Sequence, residues 1–458
     1  MRLPMHVALD AAAGTLFDAD LAPADVRIVT DTRTLEPGDT FLALRGENFN
    51  GHDYTHDAVR RGAVMVVIDE PQARVDGTPA MLVERTNHAY MALAAAARSL
   101  FTGRVIAITG SAGKTTTKVL LKQLLATRYG DRVVAAPANE NNEVGVSRLL
   151  LNLANGRHDV AVVEMGARHP GDIAVLVNVA RPDVGVLTNV GEAHLEIMGS
   201  RRELEDTKWA IFGLGARAVL NAQDAVSNER AASLAHPPHW FAAVDDGAGF
   251  VSDARATALL GRSRLVDWAG GRAREYPVDV RVPGGHNRAN LAAALAGALE
   301  MGGDLESMIA ALPGLELPEG RFQSIRLAGR PRIIFDAYNA NASGVVAALD
   351  AFAQEAGARR IAVLGSMAEL GDEAAELHER VGAHAATKVD ALLVGGDFAE
   401  LIARGAERAG FSSQRIVRFA TNGEAAAWLR ANARPEDVVL LKGSRKYKLE
   451  EIVEELKP

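Results

Sequence analysis

The stretch Thr109-Gly-Ser-Ala-Gly-Lys-Thr-Thr-Thr117 has the residue types needed to hold a phosphate chain. Gly110, Ser111, Ala112 and Gly113 let backbone N–H groups face an anion, and Lys114 adds a point charge. The hydroxyl of Thr115, followed by Thr116, is a hard oxygen suited to Mg2+. The usual phosphate-loop pattern also wants a glycine where this chain has Ile108, so the loop is a shortened variant whose first glycine is Gly110. The competing reading is a glycine-rich turn without a ligand. The expected ligand is ATP, with Mg2+.

Ligand sites of open parallel sheets lie beyond the carboxyl ends of the strands. Two further apolar runs end in polar residues of that kind. Val160-Ala-Val-Val163 leads into Glu164, and Val184-Gly-Val-Leu187 leads into Thr188-Asn-Val-Gly-Glu-Ala-His194-Leu-Glu196. Alone, Glu164 reads as a helix cap and His194 as a structural histidine. On the same sheet edge as a phosphate loop, Glu164 becomes a candidate Mg2+ ligand, because Mg2+–ATP sites need hard oxygens. His194 becomes a second metal ligand or a phosphate contact. Lys208 falls in a helix expected over 202–214 and by default is a solvated lysine. Arg321 reads either as a surface charge or as a guanidinium that holds a phosphate when domains close. Asp336, Asn339 and Asn341 follow a strand, where asparagines are turn formers or line a crevice facing the nucleotide.

Positioning these groups requires a strand before the loop, Val105-Ile-Ala-Ile108, and a helix after it, signalled by Val119-Leu-Leu-Lys-Gln-Leu-Leu125. The first hundred residues alternate short strands (26–29, 40–44, 64–68) and helices (54–61, 87–100), and Phe101-Thr-Gly-Arg104 breaks the pattern. From Val105 to about Pro313 strands and helices alternate as in a mostly parallel sheet, with an excursion of short antiparallel edge strands from Ala248 to Arg274. Leu312-Pro-Gly-Leu-Glu-Leu-Pro-Glu-Gly320 reads as a linker. Four strand candidates (332–335, 361–364, 391–394, 438–441) then suggest a Rossmann-like unit. The expectation is an α/β chain of three domains, 1–102, 103–314 and 315–458.

Composition narrows the function. The 458 residues carry a formal charge of −8, which argues against a general nucleic-acid binder, although a local basic cluster can still bind an anionic substrate. Without cysteine there is no disulfide, thiolate metal site or cysteine nucleophile. Met1-Arg-Leu-Pro-Met-His6 has no apolar signal core, and the most hydrophobic helix candidate, Ala89 to Phe101, is too short to span a bilayer. A cytoplasmic monomer acting on small molecules is expected, with no nucleic-acid or membrane partner.

Together these motifs resemble the Mur ligase family, ATP-dependent amide-forming enzymes of peptidoglycan precursor synthesis, and the resemblance covers essentially the whole chain. Thr109 to Thr117 looks like the family's phosphate loop. Gly285-His-Asn-Arg-Ala-Asn290 is similar to its His-Asn element, in which Asn287 would contact adenine. Arg321 resembles its arginine after the linker. The resemblance implies that Lys114 holds the β- and γ-phosphates, that Thr115 and Glu164 bind a first Mg2+ and that His194 binds a second. Lys208 aligns with a lysine that several members carry as a carbamate, which would make it a metal ligand. Arg321 and Asp336 would reach the nucleotide from the third domain. Thr32, Arg33, Arg45, Gly46 and His52 would lie near a UDP group held by the first domain, and Asn142, Asn339 and Asn341 near substrate.

Four stretches favour the member that joins D-Ala-D-Ala to a UDP-muramoyl-tripeptide: Asp31 to Asp39 with Gly51-His-Asp53; Asn139-Glu-Asn-Asn142 with Gly145; Asp336-Ala-Tyr-Asn-Ala-Asn341; and Met367-Ala-Glu-Leu-Gly371. The Asp-Asn-Pro-Arg tetrapeptide of the diaminopimelate- or lysine-adding member does not occur. Ala342 and Ser147 stand where the family usually has proline, Ser366 where it usually has aspartate, and Glu192 is a further departure. A ligase with another acceptor and a regulatory nucleotide-binding ATPase remain as alternatives.

Overall fold

The computed structural model describes residues 1–191, 198–244, 256–267, 274–368 and 370–457. Beside a two-stranded antiparallel ribbon of Leu3–Pro4 with Asp25–Val26, three larger sheets follow one another along the chain. The first has five strands, β1 (Thr15–Phe17), β2 (Ile28–Val29), β3 (Thr40–Leu42), β4 (Met65–Ile68) and β5 (Ala80–Leu82). Their order is β1-β5-β4-β3-β2, parallel except for β1 against β5. Three helices accompany it, α1 (Met5–Ala12), α2 (Thr55–Arg60) and α3 (Thr86–Leu100).

The second sheet begins with β6 (Arg104–Thr109), which runs into α4 (Lys114–Tyr129). Then come β7 (Val133–Ala135), α5 (Glu143–Leu151), β8 (Val160–Glu164), α6 (Asp172–Ala180), β9 (Val184–Leu187), α7 (Arg201–Trp209), β10 (Arg217–Asn221), α8 (Ala225–Arg230) and β11 (His239–Ala243). Strands β12 (Ala256–Leu260), β13 (Arg264–Asp267) and β14 (Arg274–Pro277) precede α9 (Gly285–Glu300) and α10 (Leu305–Ala311). The order is β14-β13-β12-β11-β10-β9-β6-β8-β7, and only β13 and β14 run antiparallel to their neighbours. The described part of the excursion expected from Ala248 to Arg274 is thus the edge of this sheet, and the rest of it lies outside the described residues.

Strands β6, β8 and β9 are buried along nearly their whole length, as continuous apolar runs in a sheet covered on both faces should be. Helix α9 is apolar almost all round and correspondingly buried. Its alanine-rich run Leu291-Ala-Ala-Ala-Leu-Ala-Gly-Ala298 lets it lie close against β6 and α4. The chain leaves β6 for α4 and β7, returns through β8 on one side, then crosses to β9 on the other. The crevice at that reversal opens above Thr109, Glu164 and Leu187, where a parallel sheet places its ligand.

The third sheet contains β15 (Gln323–Ile325), β16 (Arg332–Asp336), β17 (Arg360–Gly365), β18 (Ala391–Gly395), β19 (Ile416–Phe419) and β20 (Val438–Lys442). Its order is β15-β16-β20-β17-β18-β19, parallel except at β15. Helices α11 (Ala342–Phe352), α12 (Ala374–Ala386), α13 (Ala399–Arg408), α14 (Asn422–Asn432) and α15 (Glu450–Leu456) cover it. The unit is Rossmann-like as expected, with two strands, β15 and β19, that the sequence pattern does not signal.

One apolar cluster runs from Leu3, Leu93 and Phe101 through Val105, Leu150 and Leu176, so the first and second units share a core. The third has cores of its own. No helix among the described residues is long and apolar enough to cross a membrane.

Candidate active site

Gly110 and Gly113 shape the loop between β6 and α4. Gly110 has φ +150°, and a Cβ there would sit 1.9 Å from Thr188 Oγ1; Gly113 has φ +84° and its Cβ would sit 2.1 Å from Asn290 Oδ1. Both positions therefore require glycine for space as well as conformation. The segment after β9 holds the loop from the side. Thr188 Oγ1 donates to Ala112 O (2.6 Å), and the Asn189 amide grips Ala112 twice, accepting from its N–H and donating to its carbonyl (3.1 Å each). Ser111 N–H donates to Asn189 O (3.0 Å), and Gly191 N–H donates to Ser111 Oγ (2.9 Å). Thr116 is buried in the first turn of α4. Asn290 and Asn287 pack behind the loop from the start of α9, where Asn287 donates to Pro283 O at 3.0 Å.

Two lysines converge on one oxygen of this loop. Lys114 Nζ donates to Gly110 O at 2.8 Å, and Lys208 Nζ reaches the same oxygen at 3.4 Å from α7. Lys208 is only 1 % exposed, so the default reading of a solvated lysine does not hold. Burial brings its pKa from 10.5 down to about 7, and the charge of Lys114 adds to the effect. The Lys114 amine is also lowered, mainly by burial; Glu164 opposes that shift and Arg321 adds to it.

Thr115 and Glu164 meet as the phosphate-loop reading requires. Thr115 Oγ1 donates to Glu164 Oε1 at 3.1 Å, and Asn141 Nδ2 donates to the same oxygen at 2.9 Å. Oε2 is buried and receives no hydrogen bond; the Lys118 ammonium stands 3.1 Å from it. A buried carboxylate with one bare oxygen, next to a hydroxyl, is a hard-oxygen donor set that fits Mg2+. His194, the other expected metal ligand, lies outside the described residues, as do Glu192, Glu196 and Glu369 of the Met367–Gly371 stretch.

The third unit closes over this edge. Arg321 follows the 312–320 segment, stacks its guanidinium on Tyr338 (4.6 Å to the ring centre) and lies near enough for its charge to act on Lys114. Arg445 covers the same ring at 5.1 Å. Between α4 and this unit runs a cleft of about 1000 Å3 lined by Thr115, Lys118, Arg321, Tyr338 and Arg445. Asp336 accepts from Phe322 N–H (3.2 Å) and pairs with buried Lys442 (3.1 Å). Lys442 in turn donates to Asn339 O at 2.7 Å. Asn341 and Asn142 are N-caps, their Oδ1 atoms accepting from Gly344 N–H (2.8 Å) and Gly145 N–H (2.9 Å). The departures from the family pattern fit here too. Ala342 takes the first helical position of α11, where proline is merely favoured, and Ser366 Oγ accepts from Phe398 N–H (2.9 Å). Ser147 is buried without a partner for its hydroxyl.

The first unit gathers the remaining candidates more loosely. Arg33 is exposed and pairs with Asp31 at 2.7 Å, and Thr32 beside it is half-buried. Arg45 pairs with Asp69 and Glu70, and Gly46 lies under the ring of exposed Phe49. His52 is buried, with Nε2 accepting from Asp69 N–H (3.0 Å) and Nδ1 2.7 Å from Asn50 Oδ1. Both ring nitrogens are occupied, and burial lowers its pKa. It therefore serves as a neutral brace between Asn50 and Asp69, and the nearby Asp69 and Glu70 do not make it a metal ligand. Asn141, Asn189 and Asn290 fall within motifs read from the sequence but have no individual role there, and Lys118 has none at all; it shares a helix face with Lys114 and Thr115 at the i+4 and i+3 spacings.

Three family models match the chain in order. They are the Mur ligase family catalytic domain over residues 27–98, the Mur ligase middle domain over 108–298 and the Mur ligase glutamate ligase domain over 320–445. The UDP-N-acetylmuramoyl-tripeptide–D-alanyl-D-alanine ligase of Synechocystis is 36% identical, covering 94% of this chain and 92% of that protein. Its Escherichia coli counterpart is 33% identical, covering 96% of each. MurF from Acinetobacter baumannii superposes with a TM-score of 0.83 at 28% identity, over 100% of this chain and 99% of that one. MurF from Thermotoga maritima in complex with ADP superposes with a TM-score of 0.78 at 28% identity, over 94% and 96%.

Proposed function

The chain belongs to the Mur ligase family, and on that premise we propose that it joins D-alanyl-D-alanine to UDP-N-acetylmuramoyl-tripeptide with the cleavage of ATP. The terminal carboxylate of the peptide attacks the γ-phosphorus and ADP leaves, giving an acyl phosphate. The dipeptide amine adds to the acyl carbon, the tetrahedral adduct expels phosphate and an amide remains. The first step is needed because a carboxylate at neutral pH resists attack by an amine until one of its oxygens can leave.

The chemistry brings a carboxylate and a triphosphate together, so compensation of negative charge is the main task. Lys114 holds the β- and γ-phosphates from the loop, with the N–H groups of Gly110 to Thr116 around them. Arg321 approaches from the third unit and, with Tyr338 and Arg445, closes the cleft over the nucleotide. Asn287 and Asp336 border the adenosine end. Thr115 and Glu164 would hold a first Mg2+ and His194 a second; bound there, the ions would neutralise charge on the phosphates. Lys208 is buried and has a pKa near neutrality, which keeps an appreciable fraction of its amine uncharged, the form that reacts with CO2 to give a carbamate. As a carbamate it would add an anionic oxygen ligand. Closure excludes water, which would otherwise consume the acyl phosphate. The first unit holds the UDP end through the Thr32–Arg33 and Arg45–Gly46 segments, and Asn142, Asn339 and Asn341 brace the loops that face the peptide. The protein acts as a cytoplasmic monomer.

The observation that carries this reading is the meeting of Lys114 and Lys208 at Gly110 O, beside the Thr115–Glu164 pair and within the field of Arg321. The test is phosphate release from ATP with UDP-muramoyl-tripeptide, with and without D-alanyl-D-alanine. Release that requires both substrates supports the assignment. Faster release with another amine would reassign the acceptor, and turnover of ATP alone at the same rate would make the protein a nucleotide-driven switch.

A further inference from the structure

Lys118 is a buried cation to which neither the motif nor the resemblance assigns a task. It is 2 % exposed, its Nζ donates to Ala138 O in the turn after β7, and it stands 3.1 Å from Glu164 Oε2. That oxygen has no aligned hydrogen bond, whereas Oε1 accepts two, from Thr115 and Asn141. The ammonium thus faces the one bare atom of the carboxylate, which is the atom a divalent cation needs. A buried ion pair of imperfect geometry adds little net stability, yet removing one partner leaves an uncompensated buried charge. Lys118 also lines the cleft, beside Glu319 and Thr115, so its flexible stem has open space into which the head group can turn.

We propose that Lys118 is an internal counter-ion that neutralises Glu164 in the metal-free protein and yields Oε2 to the divalent cation, remaining tethered at Ala138 O. The inference rests on the reading of Glu164 as a metal ligand. Two cations cannot share one carboxylate oxygen without strong repulsion, so the ammonium weakens metal binding until another anion enters to compensate it. The triphosphate supplies that anion. Metal therefore loads together with nucleotide, and Glu164 is kept charged and oriented in the meantime.

The test is Mn2+ binding to the nucleotide-free, full-length protein, read by electron paramagnetic resonance. Lys118→Met is expected to bind Mn2+ about tenfold or more tightly than the parent, because a unit charge about 4 Å from the site is gone. Lys118→Arg keeps the charge and should remain close to the parent. Equal or weaker binding by Lys118→Met, including no measurable binding by either protein, overturns the proposal. Glu164→Gln should lose the binding; if it binds like the parent, the metal reading of Glu164 fails whatever Lys118 does. Without metal, Lys118→Met should melt at a lower temperature and gain more from added Mn2+ than the parent. Should that variant be insoluble, Lys118→Gln, which keeps a donor for Ala138 O, carries the same comparison. If neither folds alone, folding in the presence of Mn2+ is expected, and failure to fold there counts against the proposal.

Discussion

Gly110 O accepts from Lys114 at 2.8 Å and has Lys208 at 3.4 Å, so two amines share one carbonyl and each raises the cost of charging the other. For Lys208 the folded pKa of about 7 lies below its ordinary 10.5. Between those values the unfolded chain binds more protons than the folded one, so stability rises with pH there and the penalty is complete below the folded value. Lys208→Met should therefore lower the slope of unfolding free energy against pH between pH 8 and 10, by up to about 1.4 kcal/mol per pH unit. Urea titrations in CO2-free buffer would measure it, and an unchanged slope would mean that the amine reaches solvent. Lys208→Ala should lose ligase activity, with part restored by a short carboxylic acid that fills the vacated space in place of the carbamate. Lys114→Ala should cut substrate-dependent ADP release by about 10²–10³-fold, the loss that follows removal of one preorganised donor at a developing oxyanion. Near-parental turnover would remove Lys114 from the phosphate site. Lys114 was legible in the sequence because the glycines before it dictate a turn. Lys208 was reached only through the family resemblance and Lys118 not at all, because burial is a property of what packs on a helix, and a lysine looks the same in sequence whether it is solvated or enclosed.

The phosphate loop is a turn held from two sides, by the segment after β9 and by the start of α9. Gly113 has φ +84° and no room for a methyl group against Asn290 Oδ1. Gly113→Ala should weaken ADP binding strongly, whereas Gly113→Ala with Asn290→Ala relieves the clash and leaves mainly the left-handed backbone cost of about 1–2 kcal/mol. Calorimetric titration with ADP would show the double variant binding more tightly than the single one; the reverse order would mean that Asn290 itself holds the nucleotide. The strands that form the crevice, β6, β8 and β9, were readable as short apolar runs because both of their faces are covered. Gln323–Ile325 and Ile416–Phe419 were not, since these edge strands mix polar with apolar residues and are too short to show a period. The grip of Asn189 on Ala112 was likewise invisible, because it depends on which strand lies beside β6, and order within a sheet is set by long-range packing.

The first two units share a continuous apolar core, while the third keeps its cores to itself and meets the second through fewer side chains. Closure is therefore expected to be a movement of the third unit against the other two. His286, at the start of α9, packs edge-on against the buried ring of Phe322, with 5.6 Å between ring centres, directly after Arg321. Because Phe322 directly follows Arg321, that contact ties Arg321 to the second unit near Lys114, a relation between residues about two hundred positions apart that no local pattern encodes. The arginine after the linker could be read from the sequence, but its target could not. Losing one such ring contact costs about 0.5–1.5 kcal/mol, a factor of roughly 2–12 in the balance between closed and open forms. His286→Ala should accordingly raise KM for ATP by a factor in that range and lower kcat. Small-angle scattering should find the free variant more extended than the parent, with compaction restored by ADP and the peptide substrate. Unchanged scattering with unchanged kinetics would show that the lobes are held by the 312–320 segment, which Gln123 of α4 binds through both backbone groups of Glu316. The swing of Arg321 toward the nucleotide would then have to be driven by the phosphates themselves.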